Sequence, residues 1–166
     1  MSRLDREFFT RDVLLVAPEL LGKILTCRVD DDLLRCRITE TEAYRGAEDL
    51  ACHAAKGRTA RTESMFRNGG ELYVYLIYGM YWMLNVVTGR ENEPQAALIR
   101  GLEGLYGPGR ITRKLRIDKS FYGEDLCSSS RVWIEDDGCR PAFSAGERIG
   151  IDYAGEWKNK PWRFFV

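Results

Sequence analysis

Glu40 and Glu42, two residues apart in the stretch TETEAYRG (39–46), are the first side chains whose type and spacing suggest chemistry. The residues just before them, LLRCRI (33–38), read as a strand. If that strand continues, period-two alternation places Arg35, Arg37, Thr39 and Thr41 on one face. Cys36, Ile38, Glu40, Glu42 and Tyr44 share the other, so both carboxylates fall in the row of the apolar residues. A carboxylate on an apolar face is costly unless it is paired or neutral, and burial raises its pKa. A glutamate so tuned can take a proton from water near neutral pH, the work of a general base. A structural ion pair is the other reading, as is a strand that ends early and leaves both glutamates in solvent.

Three more features bear on the choice. The only histidine, His53, follows Glu42 by eleven residues, between small residues in LACHAAKG (50–57), a segment suited to a pocket wall. The stretch LYVYLIYGMYWMLNVVT (72–88) carries Tyr73, Tyr75, Tyr78 and Tyr81. Its β-branched and aromatic content predicts a hairpin, Leu72–Ile77 paired with Trp82–Val87, turning at Gly79-Met80 with Tyr78 and Tyr81 at the tip. Exposed aromatics at such a tip suit stacking on bases or insertion between them, although a packed core accounts for part of the tyrosine content. Finally, GPG (107–109) followed by RITRKLRIDK offers helix amides and cations for phosphate. A buried carboxylate, an aromatic wall, a protruding aromatic and a basic helix together describe an enzyme that takes a base out of the duplex.

The elements that must position these groups are short. A helix at Ala17–Leu21 precedes strands at Lys23–Val29 and Leu33–Thr41, then a loop with a short helix through Glu48–Ala55. After the hairpin come a strand at Gln95–Leu102, a basic helix at Arg110–Ile117, and strands at Val132–Glu135 and Arg148–Ile151. Strands dominate, so the expected class is α+β: a single domain over residues 1–166, with a curved, mostly antiparallel sheet, peripheral helices and a protruding β-hairpin. Lys+Arg and Asp+Glu are both 25, so net charge carries no nucleic-acid signal. Locally, Arg110–Lys119 holds five basic residues against one Asp. Five cysteines without a CxxC fit neither a disulfide framework nor a zinc ribbon, and point to a reducing compartment. The N-terminus has no secretory h-region. Residues 72–88 are uncharged, but four tyrosines, Gly79 and Asn85 argue for strands over a membrane span.

The strings ETEAY (40–44), Glu48-Asp49 with ACHA (51–54), LYVYLIYGMYWMLNV (72–86), LIRGLE (98–103), GPGRITRKLRIDKSF (107–121), VWIE (132–135) and AGEWKNKPWRF (154–164) closely resemble the alkyladenine, or 3-methyladenine, DNA glycosylase family. The resemblance is collinear over nearly the whole chain. It implies a monofunctional hydrolase of base-excision repair, without metal or cofactor. Such an enzyme flips 3-methyladenine-, 7-methylguanine-, hypoxanthine- or ethenoadenine-type purines out of double-stranded DNA and cuts the N-glycosidic bond, with no Schiff base. Carried over, Glu42 is the base that activates water and Arg100 helps position that water. The carbonyl near Ile149 is a further water contact. Tyr44, His53 and Tyr75 hold and read the flipped base, and Asn85 helps discriminate among purines. Tyr78 enters the duplex, while Arg110 and Lys119 meet the DNA backbone. Glu40 is left a structural role. A monomer in the bacterial cytoplasm, with no membrane partner, is expected.

Between Glu103 and Gly107 this chain has only Gly104, Leu105 and Tyr106, where family members carry a longer helical insertion, so a trimmed version of the fold is expected. Two rivals remain. A non-catalytic nucleic-acid-binding module would use the basic helix and the tyrosine hairpin alone. A metal hydrolase would draw on Glu40, Glu42, Asp49 and His53, a set with poor ligand spacing.

Overall fold

The segment that carries both glutamates, Asp32–Arg45, is one continuous strand, longer than its apolar pattern predicts, in a computed structural model that describes residues 1–166. In chain order the elements are β1 (Ser2–Arg3), α1 (Arg6–Phe9), α2 (Val13–Glu19), β2 (Ile24–Val29), β3 (Asp32–Arg45), β4 (Leu72–Ile77), β5 (Tyr81–Thr88) and β6 (Gln95–Leu102). They continue with β7 (Leu105–Tyr106), α3 (Pro108–Lys114), β8 (Val132–Asp136), β9 (Ser144–Gly146) and β10 (Arg163–Phe165). Four short 3-10 segments complete the set, among them His53–Lys56, Glu63–Phe66 and Asp152–Asn159. Every strand pairing is antiparallel, and the sheet is open, in the order β1-β8-β2-β3-β6-β5-β4. The expected α+β class with peripheral helices is what forms. No helix is long and apolar enough to cross a membrane.

β3 is the spine. Its first half pairs with β2 and its second half with β6 and β10. Between Ile38 and Thr41 the ladder with β6 is irregular: β3 first gains a residue, Thr39, and β6 then gains one, Arg100. That paired bulge breaks the alternation read from sequence. Ile38, Thr41 and Ala43 point to the main core, where the Thr41 hydroxyl donates to the Ala17 carbonyl of α2 at 2.8 Å. Glu40 and Glu42 therefore lie on the opposite face from Ile38, not in its row. Glu42 is buried, and Glu40 half-buried, because a second layer covers that face: residues 46–66 and the C-terminal segment around Ile151 and Trp157.

Other expectations shift in detail. The helix expected at Ala17–Leu21 is α2, which starts at Val13, capped by the Asp12 carboxylate on the Leu14 amide at 2.8 Å, and α1 precedes it. The β4–β5 hairpin forms as expected, but it turns on Tyr78 and Gly79, with φ of 55° and 63°, the signature of a type I′ turn. Tyr78 is thus at the tip and 83% exposed, whereas Tyr81 is half-buried on β5. A Cβ at Gly109 would sit 2.8 Å from Tyr81 Cδ1, so close packing against that ring requires the second glycine of GPG. Arg148–Ile151 is no strand: it has no partner, and Gly150 turns the chain at φ +75°. The short Glu103–Gly107 connection becomes β7, folded back on β6 and leading directly into α3.

Candidate active site

Glu42 is wholly buried, and three groups hold its carboxylate. The Tyr44 hydroxyl donates to Oε1 at 2.9 Å and the Ile149 main-chain N–H donates to Oε2 at 2.7 Å. Arg100 Nη1 lies 3.6 Å from Oε1. The bulge that singles out Arg100 on β6 also brings its Nε within 3.5 Å of Glu40, which Arg163 approaches at 3.3 Å. Bulges re-aim side chains in this way beside functional sites. Burial pushes the Glu42 pKa above its ordinary value, and Arg100, the Ile149 amide, the Tyr44 hydroxyl and Arg148 pull against that rise. A buried carboxylate with a raised pKa and fixed orientation is equipped to accept a proton from water.

Glu42 itself lies behind Tyr44, Arg100 and Ile149, which hold it and also line a cavity of about 230 Å³. Tyr44, His53, Tyr75, Tyr78, Asn85, Arg100 and Ile149 all line it, so the structure brings together every pocket residue expected from the sequence. The His53 and Tyr75 rings meet edge-on at 4.5 Å between centroids. His53 Nδ1 lies 2.7 Å from the Tyr73 hydroxyl. Burial, with Arg61 and Lys56 nearby, drops the His53 pKa to about 4, which leaves the ring neutral at pH 7. The Asn85 side-chain amide donates to the Tyr73 carbonyl at 3.2 Å, fixing its orientation at the floor. At Ile149 the contact observed is the amide on Glu42, where the resemblance implied a carbonyl facing water. Arg110 and Lys119 do not line the cavity; both are exposed and without an ion-pair partner on α3 and the turn that follows it.

Sequence reasoning missed several neighbours. Arg61 places its guanidinium 5.2 Å from the Tyr75 ring centroid at the cavity wall, on a loop tied down where the Tyr122 hydroxyl donates to the Arg61 carbonyl at 2.9 Å. Its only signal was the basic run Lys56–Arg67. Tyr153, 67% exposed, lines the wall from the C-terminal 3-10 segment. The metal-hydrolase set is not assembled: Asp49 is bound to Arg148 and His53 to Tyr73.

The family described as Methylpurine-DNA glycosylase (MPG) matches residues 7–166. A protein of Desulfitobacterium hafniense (strain Y51), named "Putative 3-methyladenine DNA glycosylase", is 43% identical, covering 100% of this chain and 96% of its own. Proteins of the same name from Psychrobacter cryohalolentis and Legionella pneumophila (strain Corby) are 46% and 44% identical. They cover 95% and 100% of this chain, and 89% and 95% of their own. The first of these alignments runs over 194 positions against 166 residues here, so that relative carries segments this chain lacks.

Proposed function

The chain belongs to the methylpurine-DNA glycosylase family, and from that membership we propose that it is a base-excision-repair DNA glycosylase that removes damaged purines from double-stranded DNA. The observation that carries the reading is Glu42, buried and held at three points by Tyr44, Arg100 and Ile149, directly behind the wall these three residues form in an aromatic cavity whose rim bears an exposed Tyr78. Tyr78 enters the base stack and the displaced purine passes into the cavity against Tyr44, His53 and Tyr75. Asn85, fixed on Tyr73, limits which purine edges fit.

Glu42 then accepts a proton from water, whose oxygen attacks C1′ of the sugar. The C1′–N bond breaks and its electron pair leaves with the purine. The carboxylate also offsets the oxocarbenium charge that grows on the sugar, and Arg100 orients the water. Alkylation at N3 or N7 makes the purine cationic, and such a base leaves readily. No lysine lines the cavity, which supports hydrolysis without a Schiff base and without strand cleavage.

The test uses duplex oligonucleotides carrying one hypoxanthine or one ethenoadenine, with alkylated DNA alongside, incubated in EDTA. Free base and alkali-labile abasic sites are measured for wild type and Glu42→Gln. Release by the wild type alone supports the reading. Tight DNA binding with no release from any substrate overturns it in favour of a non-catalytic binding module.

A further inference from the structure

We infer that Arg148 and Asp49 are positioning residues for Glu42: together they aim the Ile149 amide at its carboxylate and back the Tyr44 wall of the base pocket. The inference rests on the reading of Glu42 as the base. Neither residue lines the cavity, and the two form an ion pair with no exposure on either side chain. The pair is bidentate, Nη1 to Oδ2 at 2.6 Å and Nη2 to Oδ1 at 3.0 Å. The remaining bonds tie together segments far apart in sequence. Arg148 donates to the Ala43 carbonyl, between Glu42 and Tyr44, at 3.0 Å, and to the Trp157 carbonyl at 3.1 Å. Asp49 accepts from the Arg45 and Ala51 amides, each at 3.0 Å. The guanidinium carbon lies 5.0 Å from the ring centroids of both Tyr44 and Trp162. Arg148 Nε is buried without a partner, so the cation is held through its two Nη groups alone.

One residue further on, the Ile149 N–H meets Glu42. The loop that carries this amide belongs to no strand: Arg148 ties it directly to β3, while Arg163 Nε, donating to the Glu147 carbonyl at 2.8 Å, ties its start to β10. A group that anchors a ligand's backbone from behind acts on rate through geometry, and it also adds a positive charge near the carboxylate.

The pH profile tests this. Charged and titratable groups face Glu42 from every side: Glu40 and Tyr44 on β3, Arg100 on β6, Tyr75 on β4 and Arg163 on β10. His53 and Asp49 add to them from the 46–57 loop, with Arg148 and Tyr153 from the C-terminal segment. Arg148→Met removes a cation, so the acid limb of single-turnover excision moves to higher pH. Asp49→Asn removes an anion and leaves Arg148 charged, so the limb moves to lower pH. Both variants break the same pair, and a purely structural role would move the limb the same way in each or not at all. Arg148→Lys keeps the charge but not the bidentate geometry, and lowers the single-turnover rate about 10²-fold with little change in the limb or in duplex affinity. Trp162→Leu, which removes only the stacked ring, covers the case in which the charge variants do not fold, and also lowers that rate. Wild-type rates in the folded variants, or a rate loss that tracks the folded fraction with an unmoved limb, overturn the inference. No excision by the wild type would instead overturn the proposed function.

Discussion

The Ile149 main-chain amide donates to Glu42 Oε2 at 2.7 Å across 107 residues of chain, while the Tyr44 hydroxyl holds Oε1 at 2.9 Å. Both bonds orient a carboxylate that burial destabilises in its charged form. Because the folded-state pKa is raised, the folded chain holds this proton more tightly than the unfolded chain. Stability therefore falls as pH rises from the ordinary glutamate value through the raised one, and the ionised form of the side chain is a cost to the fold.

Glu42→Gln should remove that cost. The glutamine oxygen can accept from the Ile149 N–H, its NH₂ can donate to the Tyr44 oxygen, and Arg100 keeps Glu40 at 3.5 Å. Thermal melts at pH 7 are expected to show a Tm equal to or above wild type, with a gain of about 1 kcal/mol or about 2–4 °C. Excision falls by about 10²–10⁴-fold, the usual contribution of a general base. A lower Tm would sink the account of Glu42 as a destabilised, functional carboxylate.

His53 works in the opposite sense. Its pKa drops from 6.5 to about 4, so the folded chain binds this proton less tightly than the unfolded chain. The stability this contributes is complete above pH 6.5 and is lost as pH falls from 6.5 toward 4. Melts between pH 7 and 4 should show wild type losing stability more steeply than His53→Gln, by no more than about 3 kcal/mol. An imidazole titrating near 6.5 in the NMR spectrum would contradict this.

Tyr78 makes no side-chain hydrogen bond, is 83% exposed, and has φ 55° at the hairpin tip. Tyr78→Ala should leave stability within about 0.5 kcal/mol of wild type. Stacking of one base on an aromatic contributes about 1–3 kcal/mol, so excision from duplex DNA should drop roughly 5- to 150-fold. Tyr78→Phe should retain most of it. Equal activity in Tyr78→Ala would exclude this tip as the wedge.

Salt dependence separates the candidate DNA face from the rest of a surface whose charges balance. Arg110, Arg113, Lys114 and Lys119 are exposed and unpaired, whereas Arg35 and Arg140 are occupied by Glu135 and Asp136. Alanine at Arg110 or Lys119 should reduce the slope of log K against log salt by about 1 each. Alanine at Arg35 or Arg140 should leave it unchanged. Equal slopes throughout would place the duplex elsewhere.

How much of this was visible in the sequence depends on the range of the interactions. The hairpin at 72–88 and the strand at 95–102 follow from local propensity and alternation, and both formed within a residue of expectation. Glu42 beside Arg100 was legible only through resemblance, since nothing local pairs them. The error at Arg148–Ile151 has a clear cause: R-I-G-I alternates like a strand, but a strand needs an edge to pair with, and the nearby edge of β3 is taken by β10. Asp49, a candidate ligand in the metal-hydrolase reading, is instead wholly buried against Arg148, a partner 99 residues away that nothing local points to. The bulge was the most consequential omission, since it reversed the face on which the glutamates lie.

That bulge gives the last prediction. A Cβ at Gly101 would stand 2.9 Å from Glu40 Cβ and 3.0 Å from Thr39 Oγ1, inside the distances that real side chains tolerate. The neighbours cannot yield by a rotamer change alone, because one of the clashing atoms is a Cβ fixed by the β3 backbone. Gly101→Ala must therefore push β3 and β6 apart where Thr39 and Arg100 step out of register. Overpacking of this kind costs about 1–3 kcal/mol, so Tm should fall. The displaced strands also carry Arg100 away from Glu42, and about 10²-fold of the excision rate should go with it. Glu40→Gly removes the clashing Cβ itself, so in the Gly101→Ala background it should recover part of the lost stability. It leaves Arg100 without its Glu40 contact, and so should not restore the rate. Recovery of both together would mean that the bulge shapes the core only, and that Arg100 reaches its place without it.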